Sequence, residues 1–173
     1  TAASGAVPPF QLAAMTFLIG GAMGAASWLF RPGAVASLRQ DWRVWALGVG
    51  GLFGYHACYF TAIRTAPTIE ASLIAYLWPL FLVVFSAFLP GEKLRWNHIA
   101  GVVLGLAGAV LVITRGQSFG FSGGLKTGHL FAFACAIIWA AYSVLSRRFG
   151  KVSTDVVAGF CLATAALAAL SHL

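Results

Sequence analysis

The fold is decided by residues 71–89, which read ASLIAYLWPLFLVVFSAFL and contain no charged side chain. A helix needs about 20 predominantly apolar residues to cross a hydrocarbon core of about 30 Å, and this run has that length. Its apolar residues are continuous rather than alternating, which favours a helix over the strand of a membrane barrel. The stretch therefore predicts a transmembrane helix.

Five further stretches have the same apolar character, at residues 10–30, 44–63, 99–114, 129–146 and 156–170. The whole chain is 60% hydrophobic and only 9% charged, whereas an ordinary soluble domain carries roughly 25% charged residues. So few charged residues cannot cover the surface of a soluble globular protein. The composition also excludes the disordered, collagen-like and disulfide-rich classes of protein. We therefore predict an all-α integral membrane protein with about six transmembrane helices in this sequence.

The distribution of charge predicts the orientation in the membrane. The net charge of +7 comes from basic clusters between apolar runs rather than from one patch, so no nucleic acid partner is expected. Because alternate loops share a side, one side holds Arg31, Arg39, Arg43, Lys93, Arg95, Arg147, Arg148 and Lys151, and the other holds Arg64, Arg115 and Lys126. The first side should be cytoplasmic. Thr1 then lies outside the cytoplasm, which predicts one more helix upstream.

The longest loop, rich in Gly and Ser, predicts the domain boundary. With the additional helix, the part before this loop has five helices, so a second copy would insert upside down, as in the inverted repeats of many transporters. We assign residues 1–116 to helices two to five of a first repeat. Residues 117–128 form the inter-repeat loop, and residues 129–173 form the first two helices of a second repeat.

The third apolar stretch carries the most informative local sequence, Tyr76-Leu77-Trp78-Pro79. Pro79 has no N–H and crowds the carbonyl of Ala75, so a kink should free that carbonyl halfway across the membrane. Irregular backbone at this depth is tolerated only against protein or a wet cavity. The bend either contacts a substrate, with Tyr76 and Trp78 beside it, or is a plain packing kink.

The second stretch contains Tyr55, His56 and Tyr59. Tyr55 and Tyr59 share a helix face at i, i+4 spacing. An ionisable side chain inside a span is a candidate functional residue, which makes His56 a candidate for substrate binding. The alternative is a neutral imidazole bonded to a nearby hydroxyl.

The fifth stretch places Trp139, Tyr142 and Ser143 on one helical stripe. Such a stripe must point away from lipid, because lipid cannot satisfy an indole N–H. It either lines a cavity or makes hydrogen bonds between helices.

Sequence features that would support other chemistry are missing. The sequence has no HExxH motif, no Walker A motif and no lysine within a span. Cys58, Cys135 and Cys161 lie in apolar runs without metal spacing. Glu70 lies at the end of a span and Glu92 in a loop, so no buried carboxylate is expected to carry protons. We therefore predict no catalytic residue, no metal site and no cofactor.

Three segments resemble an EamA-type repeat of the drug/metabolite transporter superfamily. They are SLIAYLWPL at 72–80, GEKL at 91–94 and the glycine-rich helix from Gly101 to Gly108. Residues 128–147, with Trp139 and Tyr142, resemble the opening helix of the second repeat. The Tyr-x-Trp-Pro motif together with Tyr55-His56 is similar to the aromatic amino acid exporter branch.

This resemblance implies a fold of ten helices in two inverted five-helix repeats, of which the second to seventh lie in this sequence. It implies export of amino acids and related metabolites across a bacterial inner membrane. It also implies a set of cavity residues, namely Tyr55, His56, Tyr59, Tyr76, Trp78, Pro79 and Trp139.

We therefore expect a multi-pass secondary transporter that works by alternating access. Its partners would be the lipid bilayer and a small amphipathic substrate held in a central, aromatic-lined cavity. The alternatives are an integral-membrane enzyme and a membrane-embedded subunit of a larger complex. In such a subunit, Trp78 and Trp139 would contact another chain and enclose no cavity.

Overall fold

A computed structural model describes residues 7–31, 33–93, 95–114, 124, 126–149 and 152–172. Every regular element in these residues is helical, which confirms the all-α prediction. The helices are α1 (Pro9–Ala26), α2 (Trp42–Thr65), α3 (Thr68–Ala75), α4 (Trp78–Ser86), α5 (Trp96–Thr114), α6 (Thr127–Arg148) and α7 (Asp155–Leu170). Two short 3₁₀ turns, Ser27–Phe30 and Val35–Leu38, follow α1.

The six predicted apolar segments all occur as helices close to the predicted bounds. Four segments are long and apolar enough to cross a membrane, namely Pro9–Phe30, Trp42–Thr65, Thr68–Ser86 and Thr127–Arg148. Trp96–Leu111 and Asp155–Leu170 are shorter apolar helices. Length and composition therefore indicate a multi-pass membrane protein.

The third segment differs from the expected single kinked helix over 71–89. It begins at Thr68, ends at Ser86 and is divided into α3 and α4 by a turn at Tyr76 and Leu77. The Leu77 N–H donates to the Ile74 carbonyl at 3.0 Å, a three-residue step that tightens the end of α3. Pro79 then falls in the first turn of α4. Proline fits there because its fixed φ suits a helix start, where no N–H is needed.

The chain divides into two compact units, Thr1–His56 with Phe149–Leu173 and Ala57–Arg148. In the first unit, α7 packs along α1. A Cβ added at Gly24 would lie 2.7 Å from the Ala158 Cβ, so only glycine allows this approach. The Arg31 guanidinium and the Asp155 carboxylate form an ion pair at 3.0 Å.

In the second unit, α6 packs against α3 and α4. The rings of Phe81 and Phe133 meet edge to face, with centroids 5.3 Å apart. A Cβ added at Gly128 would lie 2.6 Å from the Ala66 Cβ. The first turn of α6 is therefore in close contact with the end of α2.

These units cut across the predicted repeat boundary, because α6 packs on α3 and α4 and α7 packs on α1. The assignment of 1–116, 117–128 and 129–173 to two repeats stays a prediction. Of the predicted inter-repeat loop, residues 117–123 and 125 lie outside the described residues. Thr127 and Gly128, which were assigned to that loop, begin α6.

Candidate functional site

A cavity of about 410 Å³ lies beside the turn between α3 and α4. We call it the bend cavity. Its lining residues are Tyr76, Trp78, Pro79 and Leu80 on one side, and Gly101, Val102, Gly105, Leu106 and Ala109 of α5 on the other. Its volume is within the range of about 300–1,000 Å³ that is typical of sites for small molecules. The bend cavity therefore brings together three of the predicted site residues, Tyr76, Trp78 and Pro79.

The bend cavity is wide because the glycines of α5 that line it have no side chains. A Cβ added at Gly101 or Gly105 would meet no atom within 4 Å. Tyr76 is half exposed and Trp78 is partly buried. The cavity thus combines a mostly carbon-lined wall with one phenol and one indole ring, a surface suited to a flat apolar group.

The predicted stripe on α6 lies elsewhere. The rings of Trp139 and Tyr142 are 5.6 Å apart, and both side chains are partly buried. The Ser143 hydroxyl donates to the carbonyl of Trp139 at 2.8 Å, so this bond stays within α6. None of the three residues lines the bend cavity. Their contact with a substrate stays a prediction.

The His56 imidazole of α2 has a backbone partner and lies between one ring of α1 and one ring of α2. Nδ1 of His56 donates to the carbonyl of Leu52 at 2.7 Å, where a hydroxyl was the expected alternative. The rings of Phe17 and Tyr55 contact the imidazole nearly perpendicularly, with centroids at 4.9 and 5.1 Å. Nδ1 therefore carries a proton, and in the neutral ring Nε2 is an acceptor.

Tyr59, four residues after Tyr55, is partly buried and its ring centroid lies 6.3 Å from that of Phe60. Tyr59 belongs to the second unit, whereas Tyr55 and His56 belong to the first. The role of all three residues in binding stays a prediction.

The expectation of no buried carboxylate is wrong. Glu70 is only 4% exposed, and His129 is 3% exposed. Nε2 of His129 lies 2.8 Å from Oε2 of Glu70. The backbone N–H of Lys126 donates to Nδ1 of the same imidazole at 3.0 Å. We call Glu70 and His129 the buried pair.

A signal for the buried pair is present in the sequence. Glu70 follows the loop at 66–68 and His129 follows the loop at 115–128, and the alternation of helices puts these loops on the same side. Two ionisable residues in the first turns of neighbouring spans can meet there. Composition and motif analysis treat each of them alone and so miss the pair.

Within the part of the chain that the structure describes, no group of three or more His, Cys, Asp or Glu side chains is arranged to hold a metal ion. Cys58, Cys135 and Cys161 form no disulfide bond within the described residues, and Cys135 is fully buried.

The chain is similar in sequence to known membrane transporters. Residues 1–114 match the EamA-like transporter family. The whole chain is 59% identical to the aromatic amino acid exporter YddG of Ancylobacter novellus over 174 residues, which are 61% of that protein. It is 31% identical to the pseudopaline exporter CntI of Pseudomonas aeruginosa over 144 residues, covering 82% of this chain and 49% of the relative.

A solved crystal structure shares 59% sequence identity and superposes with a TM-score of 0.88, covering 97% of this chain and 58% of that one. The chain thus spans about three-fifths of the length of its YddG relative. The family consists of transporters, so the chain is not an enzyme. With two-thirds of its length matched by the family, the chain belongs to the EamA-like transporter family.

Proposed function

We propose that the protein is a secondary transporter of the bacterial inner membrane that exports aromatic amino acids and related amphipathic metabolites. The observation that carries this proposal is the bend cavity, which places Tyr76, Trp78 and Pro79 around a space of about 410 Å³. The names of the relatives support the same class of substrate, since YddG is an aromatic amino acid exporter and CntI exports pseudopaline.

In the bend cavity, the flat side chain of the substrate would lie between Trp78 and the glycine face of α5. Gly101 and Gly105 present no Cβ, so a ring can approach the backbone there. The ammonium group of the substrate would be attracted by the indole and phenol faces. The Ala75 carbonyl would add a hydrogen-bond acceptor, because Pro79 has no N–H to offer it.

The cycle would be alternating access around this site. The turn at Tyr76 and Leu77 would let α4 change its angle to α3, since the Leu77 N–H bonds to the Ile74 carbonyl in a three-residue step that interrupts the α-helical pattern. We propose two inverted five-helix repeats, with residues 1–116 in the first, 117–128 between them and 129–173 opening the second. Tyr55, His56, Tyr59, Trp139, Tyr142 and Ser143 would contribute further substrate contacts in the complete pathway.

The alternative of a membrane-embedded assembly subunit would require the indole of Trp78 to pack against another chain and enclose no cavity. The bend cavity beside Trp78 favours a transporter over that alternative. The indole of Trp139 does not share this cavity, so the support rests on Trp78 and its neighbours.

Counterflow in proteoliposomes tests the proposal. Vesicles loaded with unlabelled tryptophan should take up radiolabelled tryptophan through the wild-type protein, and Trp78→Ala should lower this rate by about tenfold. The reason is the loss of ring stacking and cation–π attraction, together roughly 1–2 kcal/mol. Trp96→Ala is the matched control, because Trp96 is 79% exposed and lies outside the cavity. Equal rates for Trp78→Ala and the wild type would contradict the proposal.

A further inference from the structure

The buried pair joins the first turns of two helices. Glu70 lies in the first turn of α3 and His129 in the first turn of α6, 59 residues apart in the sequence. Both side chains are almost completely buried, and their Nε2 and Oε2 atoms are 2.8 Å apart. Ionisable groups are rarely buried in membrane helices without a function, and many of them bind protons.

The hydrogen bonds fix the position of the proton on the imidazole. The Lys126 N–H points at Nδ1 of His129, so Nδ1 is an acceptor and carries no hydrogen. A neutral ring then carries its proton on Nε2 and donates it to Glu70. The pair in this structure is therefore a neutral imidazole facing a carboxyl oxygen.

A further proton could bind to Nδ1 of His129 or to the Glu70 carboxylate. Either position weakens the interactions that hold the pair. On Nδ1 it would face the Lys126 N–H across 3.0 Å, so the hydrogen bond that holds the start of α6 would break. On Glu70 it would remove the negative charge that the Nε2–H group binds. Hydrogen bonds to ionised groups are roughly twice as strong as those between neutral groups.

Other titratable groups lie on the elements of the second unit that surround the pair. They are Cys58, Tyr59 and Arg64 in the part of α2 that belongs to this unit, Tyr76 after α3, His98 of α5, Lys126 ahead of α6, and Cys135, Tyr142, Arg147 and Arg148 of α6, while α4 carries none. Arg64 and Lys126 are exposed and belong to the same helix ends as the pair.

Close packing at this point makes the pair a connection between helices. Gly128 approaches the end of α2, where an added Cβ would lie 2.6 Å from the Ala66 Cβ. Ala62, Ala71 and Ala132 form a buried cluster from α2, α3 and α6. The buried pair therefore lies where three helix ends meet, and its strength affects whether α6 stays against α3.

We propose that the contact between Glu70 and His129 holds α6 against α3 as a latch, and that Glu70 takes up one proton, which loosens the contact between the two helices. The proton is taken from water and returned to water, and no other bond is made or broken. The effect on transport rests on the proposed function, whereas the proton site itself does not.

Two measurements test the latch. Infrared difference spectroscopy on the reconstituted protein should detect a protonated carboxyl group that appears as the pH falls and is absent in Glu70→Gln. Counterflow at equal pH on both sides should accelerate as the pH falls, by at most about tenfold per pH unit for one proton. In Glu70→Gln, whose amide has nearly the same shape, the rate should no longer depend on pH.

Glu92→Gln is the matched control, because Glu92 is half exposed and meets only Arg147 at 3.6 Å among the ion pairs described. It should keep the wild-type pH profile. A Glu70→Gln variant with the wild-type profile, or a Glu70 carboxyl that does not titrate, would overturn the proposal. If the wild type shows no counterflow at all, the proposed function fails, and the infrared titration alone decides the proton site.

Discussion

Filling the bend cavity should stabilise the protein and impair transport, which separates this cavity from a simple packing defect. The substitution Gly105→Leu places a side chain into the space between α5 and Trp78. A Cβ at Gly105 meets no atom within 4 Å, so the new side chain creates no steric clash at its base. Leucine is also the better helix former, by up to about 1 kcal/mol.

The same geometry sets how much affinity for tryptophan the Gly105→Leu variant should lose. The new side chain would displace the substrate ring from Trp78, removing one aromatic contact and one cation–π contact worth roughly 1–2 kcal/mol together. Since 1.4 kcal/mol corresponds to a factor of ten, the apparent affinity for tryptophan should fall about 5- to 30-fold.

The assay measures the concentration dependence of counterflow together with thermal unfolding. Gly108→Leu is the control on the same helix, because Gly108 also has no atom within 4 Å of an added Cβ but does not line the bend cavity. Gly108→Leu should keep the wild-type affinity. Unchanged affinity in Gly105→Leu, or equal loss in both variants, would refute the assignment of the bend cavity.

Three further predictions follow from the packing. Gly128→Ala should lower stability by about 1–3 kcal/mol, since its Cβ would lie 2.6 Å from the end of α2, and thermal unfolding in detergent measures this; an unchanged midpoint would contradict the close approach. Pro79→Ala restores an N–H to bond the Ala75 carbonyl, so hydrogen exchange at residues 76–78 should slow and transport should fall; exchange as fast as in the wild type would show that proline does not cause the turn. Asp155→Asn removes an exposed ion pair and should cost less than about 1 kcal/mol, with a smaller effect in high salt; a larger, salt-independent loss would refute this view.

The sequence predicted the features that depend on local chemistry. The lengths of the six apolar stretches predict six helices, because each helix must cross the hydrocarbon core by itself. The covalent constraints of Pro79 predict a bend near the middle of the third span, although the helix breaks a little earlier, at Tyr76 and Leu77. The residues of this bend, Tyr76, Trp78 and Pro79, line one cavity, and their contact with a substrate stays a prediction.

Features that depend on the contacts between distant segments were not predicted. Periodicity cannot say which helix α6 packs against, so the buried pair of Glu70 and His129 went unrecognised. The glycine-rich face of α5 looked like a packing surface, yet Gly105 leaves open space beside Trp78. Both features depend on which helix packs next to α6 or α5. The sequence of a single helix does not determine its neighbour.

The central claim is that an aromatic amino acid binds in the bend cavity. A crystal structure with 4-bromophenylalanine tests it most directly, because anomalous scattering locates the bromine without reference to the protein. The account predicts a bromine peak between Trp78 and Gly105. A peak away from Trp78, for example beside Trp139 alone, would contradict it.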